Sequence, residues 1–166
     1  MWIMKADTAT SRNLLTEAIF ETFEKMFFLF LEPIDREPEG CDLESVVQFK
    51  GFVEGRLEVS LSRNLAVAMV SNMLSCSTGD VTDAKIEDCA KEAANVICGS
   101  FLQRLDRRGD FNLSTPSFRR VAGVNRNVSE GEGMIRICFD SDYGGMDVRA
   151  VLSENRPPSG RGPEEV

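Results

Sequence analysis

Apolar residues recur along this chain with two periods, and the alternation between them lays out the elements. From Thr10 or Ser11, either of which can cap a helix, the residues Leu14, Leu15, Ala18, Ile19, Phe23, Met26, Phe27 and Phe30 build a broad apolar face. That spacing predicts a heavily buried helix running to about Leu31. Glu32 and Pro33 stop it, because the residue before a proline disfavours the α region. Residues 33–42 are acidic and carry proline and glycine, so they predict a loop. The period then drops to two. Val46, Val47 and Phe49 mark one strand, a turn falls near Lys50 and Gly51, and Leu57, Val59 and Leu61 alternate with Arg56, Glu58 and Ser60 in a second. Ser62 can cap a short helix through Leu74, followed by a polar loop, Ser75–Thr82. A long helix is predicted from about Asp83 to Arg108, closed by Gly109 as a left-handed cap. Extended segments follow at Phe111–Leu113 and from Ser117 through Val124. A last hairpin spans Met134–Phe139 and Met146–Leu152, turning at Asp142–Gly145.

Helices grouped around paired antiparallel strands define an α+β class. Length fits one domain over residues 10–153, with 1–9 a flexible leader and 154–166 a disordered tail rich in Pro, Gly and charge. Each half reads loosely as a long helix followed by paired strands, without a residue-level repeat.

Composition narrows the chemistry. The chain has no histidine, so Ser-His-Asp and Cys-His triads and His-ligated metal sites are excluded within it. A net charge of −8 and the lack of a Lys/Arg stripe argue against nucleic acid as a partner. The five cysteines, Cys41, Cys76, Cys89, Cys98 and Cys138, are widely spaced and contain no CxxC, which suits neither a metal site nor a disulfide framework. They predict small buried side chains in a reducing compartment. No secretory signal is expected, and the run Met26–Leu31 is too short to cross a bilayer. The expectation is a cytoplasmic protein with no membrane association, no metal and no bound cofactor.

One constellation carries chemistry. On the long helix, Ile86, Cys89, Ala90, Ala93, Val96, Ile97, Ser100 and Phe101 cluster on one face, leaving Asp88, Glu92, Asn95 and Gly99 as a stripe on the other. Glu92 and Asn95 stand at i and i+3, so their side chains project side by side. Gly99 costs the helix roughly 0.5–1 kcal/mol relative to alanine. It is explained either by a partner's close approach or by tight packing against a strand. An exposed carboxylate is a weak base at neutral pH, and an amide is no base at all. An amide can nevertheless hold a water through its donor and acceptor. That suits an electrophile that is already reactive, such as an acyl phosphate, whose hydrolysis depends largely on positioning. By spacing alone, however, an exposed Glu and Asn are more often a solvated helix face.

The run Glu92-Ala-Ala-Asn95, followed by Val96-Ile97-Cys98-Gly99, resembles the E-x-x-N…I-x-G signature of the CheC/CheX/FliY phosphatases. Gly55–Ser62 (GRLEVSLS) with Leu65 and Ala66 is similar to their strand-into-helix segment, and Phe111–Pro116 (FNLSTP) to the strand after their signature helix. The resemblance covers roughly residues 12–152. It implies a CheX/CheC-like fold with long helices on a mainly antiparallel sheet. It also implies hydrolysis of the phospho-aspartate of a CheY-like receiver in chemotaxis or two-component signalling. Glu92 would anchor a receiver lysine and Asn95 would orient the attacking water. Beside them Asp88, Lys91 and Gly99 are candidate partner-binding positions by their place on the helix, although Asp88 and Lys91 read first as solvated or locally paired side chains. Mg2+ would sit on the receiver rather than on this chain, and the chain would form a homodimer through its sheet. Two departures are evident. The first helix offers Glu17-Ala-Ile-Phe20 and Glu21-Thr-Phe-Glu24 with no asparagine in register, which is closer to one-site CheX than to two-site CheC. Ser100 follows Gly99 where many relatives carry asparagine.

Two other readings stay open. The chain could be a CheX-like interaction module without catalysis, or a structural component of the flagellar switch. Arg119 and Arg120 are read as an ordinary strand end in preference to a partner surface. Asp140, Asp142 and Asp147 flank the last hairpin and suggest a cation, but turn chemistry explains Asp140 and Asp142.

Overall fold

The computed structural model describes residues 8–121 and 133–154. The first helix, α1 (Thr8–Thr22), buries Leu15, Ala18 and Ile19. It ends earlier than the apolar pattern predicts. A π-helical turn, Phe23–Phe27, carries the chain to Phe28, whose left-handed backbone (φ 54°) stops the helix, with its N–H donated to the Phe23 carbonyl. A wide turn keeps Phe23 and Phe27 in the core but releases Phe30, 84% exposed, from the face it was expected to share.

Glu32 and Pro33 belong to an edge strand, β1 (Glu32–Ile34), rather than to the expected loop. The strand exists because β6 (Met134–Asp140) lends its edge, pairing Glu32 with Asp140 and Ile34 with Cys138. The first hairpin is β2 (Leu43–Lys50) and β3 (Val53–Leu61), in register from Leu43–Leu61 to Phe49–Gly55. Ser62 then caps α2 (Arg63–Leu74), its Oγ accepting the Leu65 N–H. After one 3-10 turn comes α3 (Asp83–Leu105), started by Thr82, whose Oγ1 accepts the Lys85 N–H.

The end of α3 departs from expectation. The helix stops at Asp106 in an extended conformation (φ −148°), and Gly109 has no positive φ. Gly109 is small for a different reason: a Cβ there would stand 2.5 Å from the Phe111 ring, and one at Gly51 would stand 2.7 Å from the same ring. The two glycines make room for Phe111.

Strands β4 (Asn112–Leu113) and β5 (Ser117–Arg120) both pair with β2. Between them Ser114 keeps the ladder, donating its N–H to the Gln48 carbonyl at 2.8 Å and accepting the Gln48 N–H on its Oγ at 2.9 Å. The extended stretch expected through Val124 is described only to Val121. The last hairpin, β6 (Met134–Asp140) and β7 (Met146–Glu154), forms as predicted. Among the described residues the sheet has seven strands in the order β1-β6-β7-β3-β2-β4, with β5 beside β4 on β2, all antiparallel.

The period of two sorts the sheet's faces. Val47, Leu57, Ala150 and Ile135 lie in register on the face that the helices cover, and all are buried. Fully burying such an aliphatic or aromatic side chain is worth about 1.5–3 kcal/mol. The other face is polar. There Arg136 bonds Asp147 at 2.9 Å and Glu37 at 3.3 Å, and Arg119 bonds the buried Glu44 at 2.7 Å. Arg120 reaches Asp83 at 3.2 Å and Arg36 reaches Asp140 at 3.0 Å. Arg119, Arg120, Asp140 and Asp147 are therefore each engaged in an ion pair, with Glu44, Asp83, Arg36 and Arg136 respectively. The fold is mixed α+β, with its helices packed on one side of an antiparallel sheet.

Candidate functional site

The long helix is held on several sides, by α1, by α2 and by strands β2 and β3. Its buried arc is therefore wider than an amphipathic stripe and slightly rotated from the expected one. Ile86, Cys89, Ala90, Ala93, Ala94, Ile97, Cys98, Phe101 and Leu102 are buried, whereas Val96 and Ser100 are only partly so. Outward lies the line of Asp88, Glu92, Asn95 and Gly99, the first two exposed and the last two partly so, with Lys91 and Val96 partly exposed beside it.

Asp88 and Glu92 are exposed and Asn95 is partly exposed. None of the three side chains makes a hydrogen bond or ion pair among the described residues. Their neighbours on α3 differ. Asp83 is bonded by Arg63 at 2.9 Å, and that bond, with the charge of Arg120 close by, holds its carboxyl below the usual range. Glu87 pairs with Lys91 at 3.0 Å. Lys91 thus stands beside the line but is already engaged, so it joins a docking surface only by sharing or releasing Glu87. Two carboxylates of α3 are neutralised internally, and the two on the line are left open.

Gly99 settles one alternative. A Cβ added there would meet nothing within 4 Å among the described residues, so no described strand packs against it and these residues place no internal demand for a glycine. The line is flat at this point because the side chain is absent.

Beneath the line the environment is dry. Burial pushes the Cys98 thiol up to about 12. It does the same to Cys89, where the charge of Glu92 adds to the effect. Both thiols stay protonated at neutral pH and are unsuited to nucleophilic work. Among the described residues the cysteines are free, and no group of three or more acidic or cysteine side chains could hold a metal ion. No helix among them is long and apolar enough to cross a membrane. The chemistry available on this face of α3 is that of two open carboxylates, an open amide and a bare backbone segment.

On α1 the corresponding carboxylates are occupied. Arg104 of α3 bonds Glu21, which also takes Lys25 at 2.7 Å, and Glu17 lies 3.9 Å from the same guanidinium. Arg104 was not singled out from sequence. Its signal there is only a cation in the last turn of a helix, which the helix dipole explains equally well.

The fold and this helix face together define an α+β domain that presents open carboxylates and an open amide from one helix. A profile described as "Chemotaxis phosphatase CheX" matches residues 44–141, more than half of the chain, and the chain belongs to that family. Curated protein sequences gave no match. Among solved structures, the chemotaxis protein CheX from Vibrio vulnificus is similar over 89% of this chain and 99% of that one, with a TM-score of 0.72 and 20% identity. The CheX of a CheX–CheY–BeF3–Mg2+ complex from Borrelia burgdorferi is similar over 86% and 97%, with a TM-score of 0.65 and 18% identity. Thermotoga maritima FliY follows at 0.55, with 14% identity and 87% of each chain covered. At these identities the likeness is one of fold.

Proposed function

We propose that this chain hydrolyses the phospho-aspartate of a CheY-like receiver, using Glu92 as docking anchor and Asn95 as the amide that orders the attacking water. The observation that carries this reading is the pair itself. Glu92 and Asn95 project side by side from a rigid helix, and neither is engaged within the described residues. A side chain destined to enter another protein's active site must be free of its own fold in this way.

The chemistry asked of the chain is modest. The acyl phosphate is already activated, and phosphoryl transfer responds chiefly to alignment and charge neutralisation. Neutralisation falls to the divalent metal and cationic groups of the receiver. Asn95 supplies alignment: its carbonyl accepts a hydrogen bond from the water while its NH2 donates to the phosphoryl group or receiver backbone, pointing the water's lone pair along the P–O axis, and the water's protons leave with the phosphate. Attack forms the new P–O bond as the bond to the aspartyl oxygen breaks, leaving carboxylate and inorganic phosphate. Glu92 meets a receiver lysine, with Asp88 beside it, and Gly99 lets the receiver backbone close on the helix. The working unit in this reading is a cytoplasmic homodimer joined through the sheet, for which the outer edge of β5, unpaired among the described residues, supplies a motive.

The test is acylphosphate decay across a panel of phosphorylated receivers from the same cell. Wild-type chain shortens the lifetime of at least one receiver. Asn95→Ala lowers turnover by about 10²–10³, the scale of losing one orienting donor. Glu92→Gln raises KM about tenfold with turnover nearly kept. Binding without acceleration assigns the chain to a non-catalytic interaction module, and no engagement with any receiver rejects the reading.

A further inference from the structure

Past Gly99 the outward line of α3 continues into an open groove of about 560 Å³ between α1 and the end of α3, lined by Leu14, Glu17, Gln103, Arg104 and Arg107. Gln103 stands one turn beyond Gly99, about 12 Å along the axis from Asn95. Arg107 follows in the turn after the helix. The charges here are unevenly committed. Arg104 is tied to Glu17 and Glu21, whereas Gln103 and Arg107 are exposed and make no side-chain bond among the described residues. Leu14, partly buried against the core, gives the groove an apolar floor.

The outward line is therefore bipolar. Its first half carries two open carboxylates, Asp88 and Glu92. Its far end carries an open amide and an open cation in a chain of net charge −8. From Asp88 to Gln103 is about 22 Å of helix. A standard interface covers about 800 Å² per partner, on the order of 30 Å across. A receiver seated on Asn95 thus reaches both ends.

We infer that this groove is the receiver's second contact, in which Arg107 takes a carboxylate and Gln103 a polar group of the same receiver that presents its cation to Glu92. The occupant follows from continuity with the catalytic face and from charge. A partner carrying one sign of charge throughout would be repelled at one end, so the line reads the partner's orientation as well as its presence. This inference rests on the phosphatase reading and adds a specificity determinant to it.

The experiment uses full-length chain and the receiver that wild type dephosphorylates fastest, in its acylphosphate form for kinetics and its beryllium fluoride form for binding. Arg107→Glu raises KM and Kd about tenfold, with kcat within about twofold. Arg107→Lys stays within about threefold, and the penalty of Arg107→Glu shrinks toward 1 M salt, where the Debye length is about 3 Å. Gln103→Glu, at an independent exposed position, weakens binding in the same direction. Thermal midpoints of all three stay at the wild-type value, separating lost contact from lost fold. Wild-type activity with KM and Kd unmoved by Arg107→Glu and Gln103→Glu overturns the groove alone. A fall confined to kcat, or a changed oligomeric state with unchanged receiver affinity, overturns it equally. A wild-type chain that accelerates no receiver rejects the phosphatase reading and the groove together.

Discussion

The two long helices of this protein carry similar side chains to opposite ends. On α1, Glu21 bonds Arg104 and also takes Lys25, fastening α1 to α3, and Glu17 stands 3.9 Å from the same guanidinium as a looser charge partner. On α3, Asp88 and Glu92 are left open one turn apart, and the next outward position is Asn95. The difference does not lie in the residue types, since both helices present glutamates on an exposed face. It lies in whether the fold supplies a cation. Where it does, a carboxylate becomes a fastening; where it does not, the carboxylate stays available to another molecule. A motif scan of α1 finds glutamates but no amide in register, and the structure adds that those glutamates are already in use.

The comparison is broken most severely by removing the amide. Asn95→Ala lowers acylphosphate hydrolysis by about 10²–10³. Glu21→Gln on α1 leaves hydrolysis within about twofold, and both are read in one decay assay. An effect of Glu21→Gln as large as that of Asn95→Ala would erase the distinction between the helices.

A second prediction concerns the buried side of α3, which α1 does not mirror because it carries no thiol. Cys89 and Cys98 are held near 12 in the fold, against an ordinary value of 9.0. Below pH 9 the thiols are neutral in both states and their contribution to stability is complete. As pH rises from 9 toward 12, the unfolded chain ionises while the folded one does not, so stability is lost at about 1.4 kcal/mol per group per pH unit. At pH 10 the two together cost about 2–3 kcal/mol. Chemical denaturation at pH 8 and pH 10 measures this, and the Cys89→Ala, Cys98→Ala double variant flattens the dependence.

Smaller effects sharpen the contrast. Arg104→Ala unfastens α1, lowering stability by about 1 kcal/mol, as expected for partly exposed ion pairs. Turnover at saturating receiver is unchanged, as stopped decay assays and thermal melts run in parallel would record. Gly99→Ala acts in the opposite sense. The added methyl meets nothing among the described residues and the helix gains roughly 0.5–1 kcal/mol, so the melting temperature rises while receiver affinity falls. A stabilised variant with full affinity would remove Gly99 from the docking surface.

Most of this architecture is legible in the chain because single residues announce it. Ser62 and Thr82 cap the helices they were expected to cap or precede, and the period of two places Leu57, Val59 and Leu61 on the buried face. The misses share a cause, in that each depends on contact distant in sequence. Nothing local in Glu32-Pro33-Ile34 predicts a strand; β6 makes it one. Gly109 looks like a helix cap until the Phe111 ring is seen lying against it. The π-helical turn at Phe23–Phe27 is invisible to a scan at 100° per residue, and so Phe30 was assigned inward. Within the site, the spacing of Glu92 and Asn95 is a sequence property, but their freedom is not. That required knowing that Lys91 goes to Glu87 and Arg104 to α1. The groove at Gln103 and Arg107 carries no motif at all.

The central claim is that Asn95 orders the water. Its most direct test is the lifetime of the receiver acylphosphate at saturating Asn95→Ala chain, with complex formation followed on the same sample. The account predicts that the complex still forms while the lifetime returns nearly to that of the receiver alone. Acceleration undiminished by Asn95→Ala would contradict it.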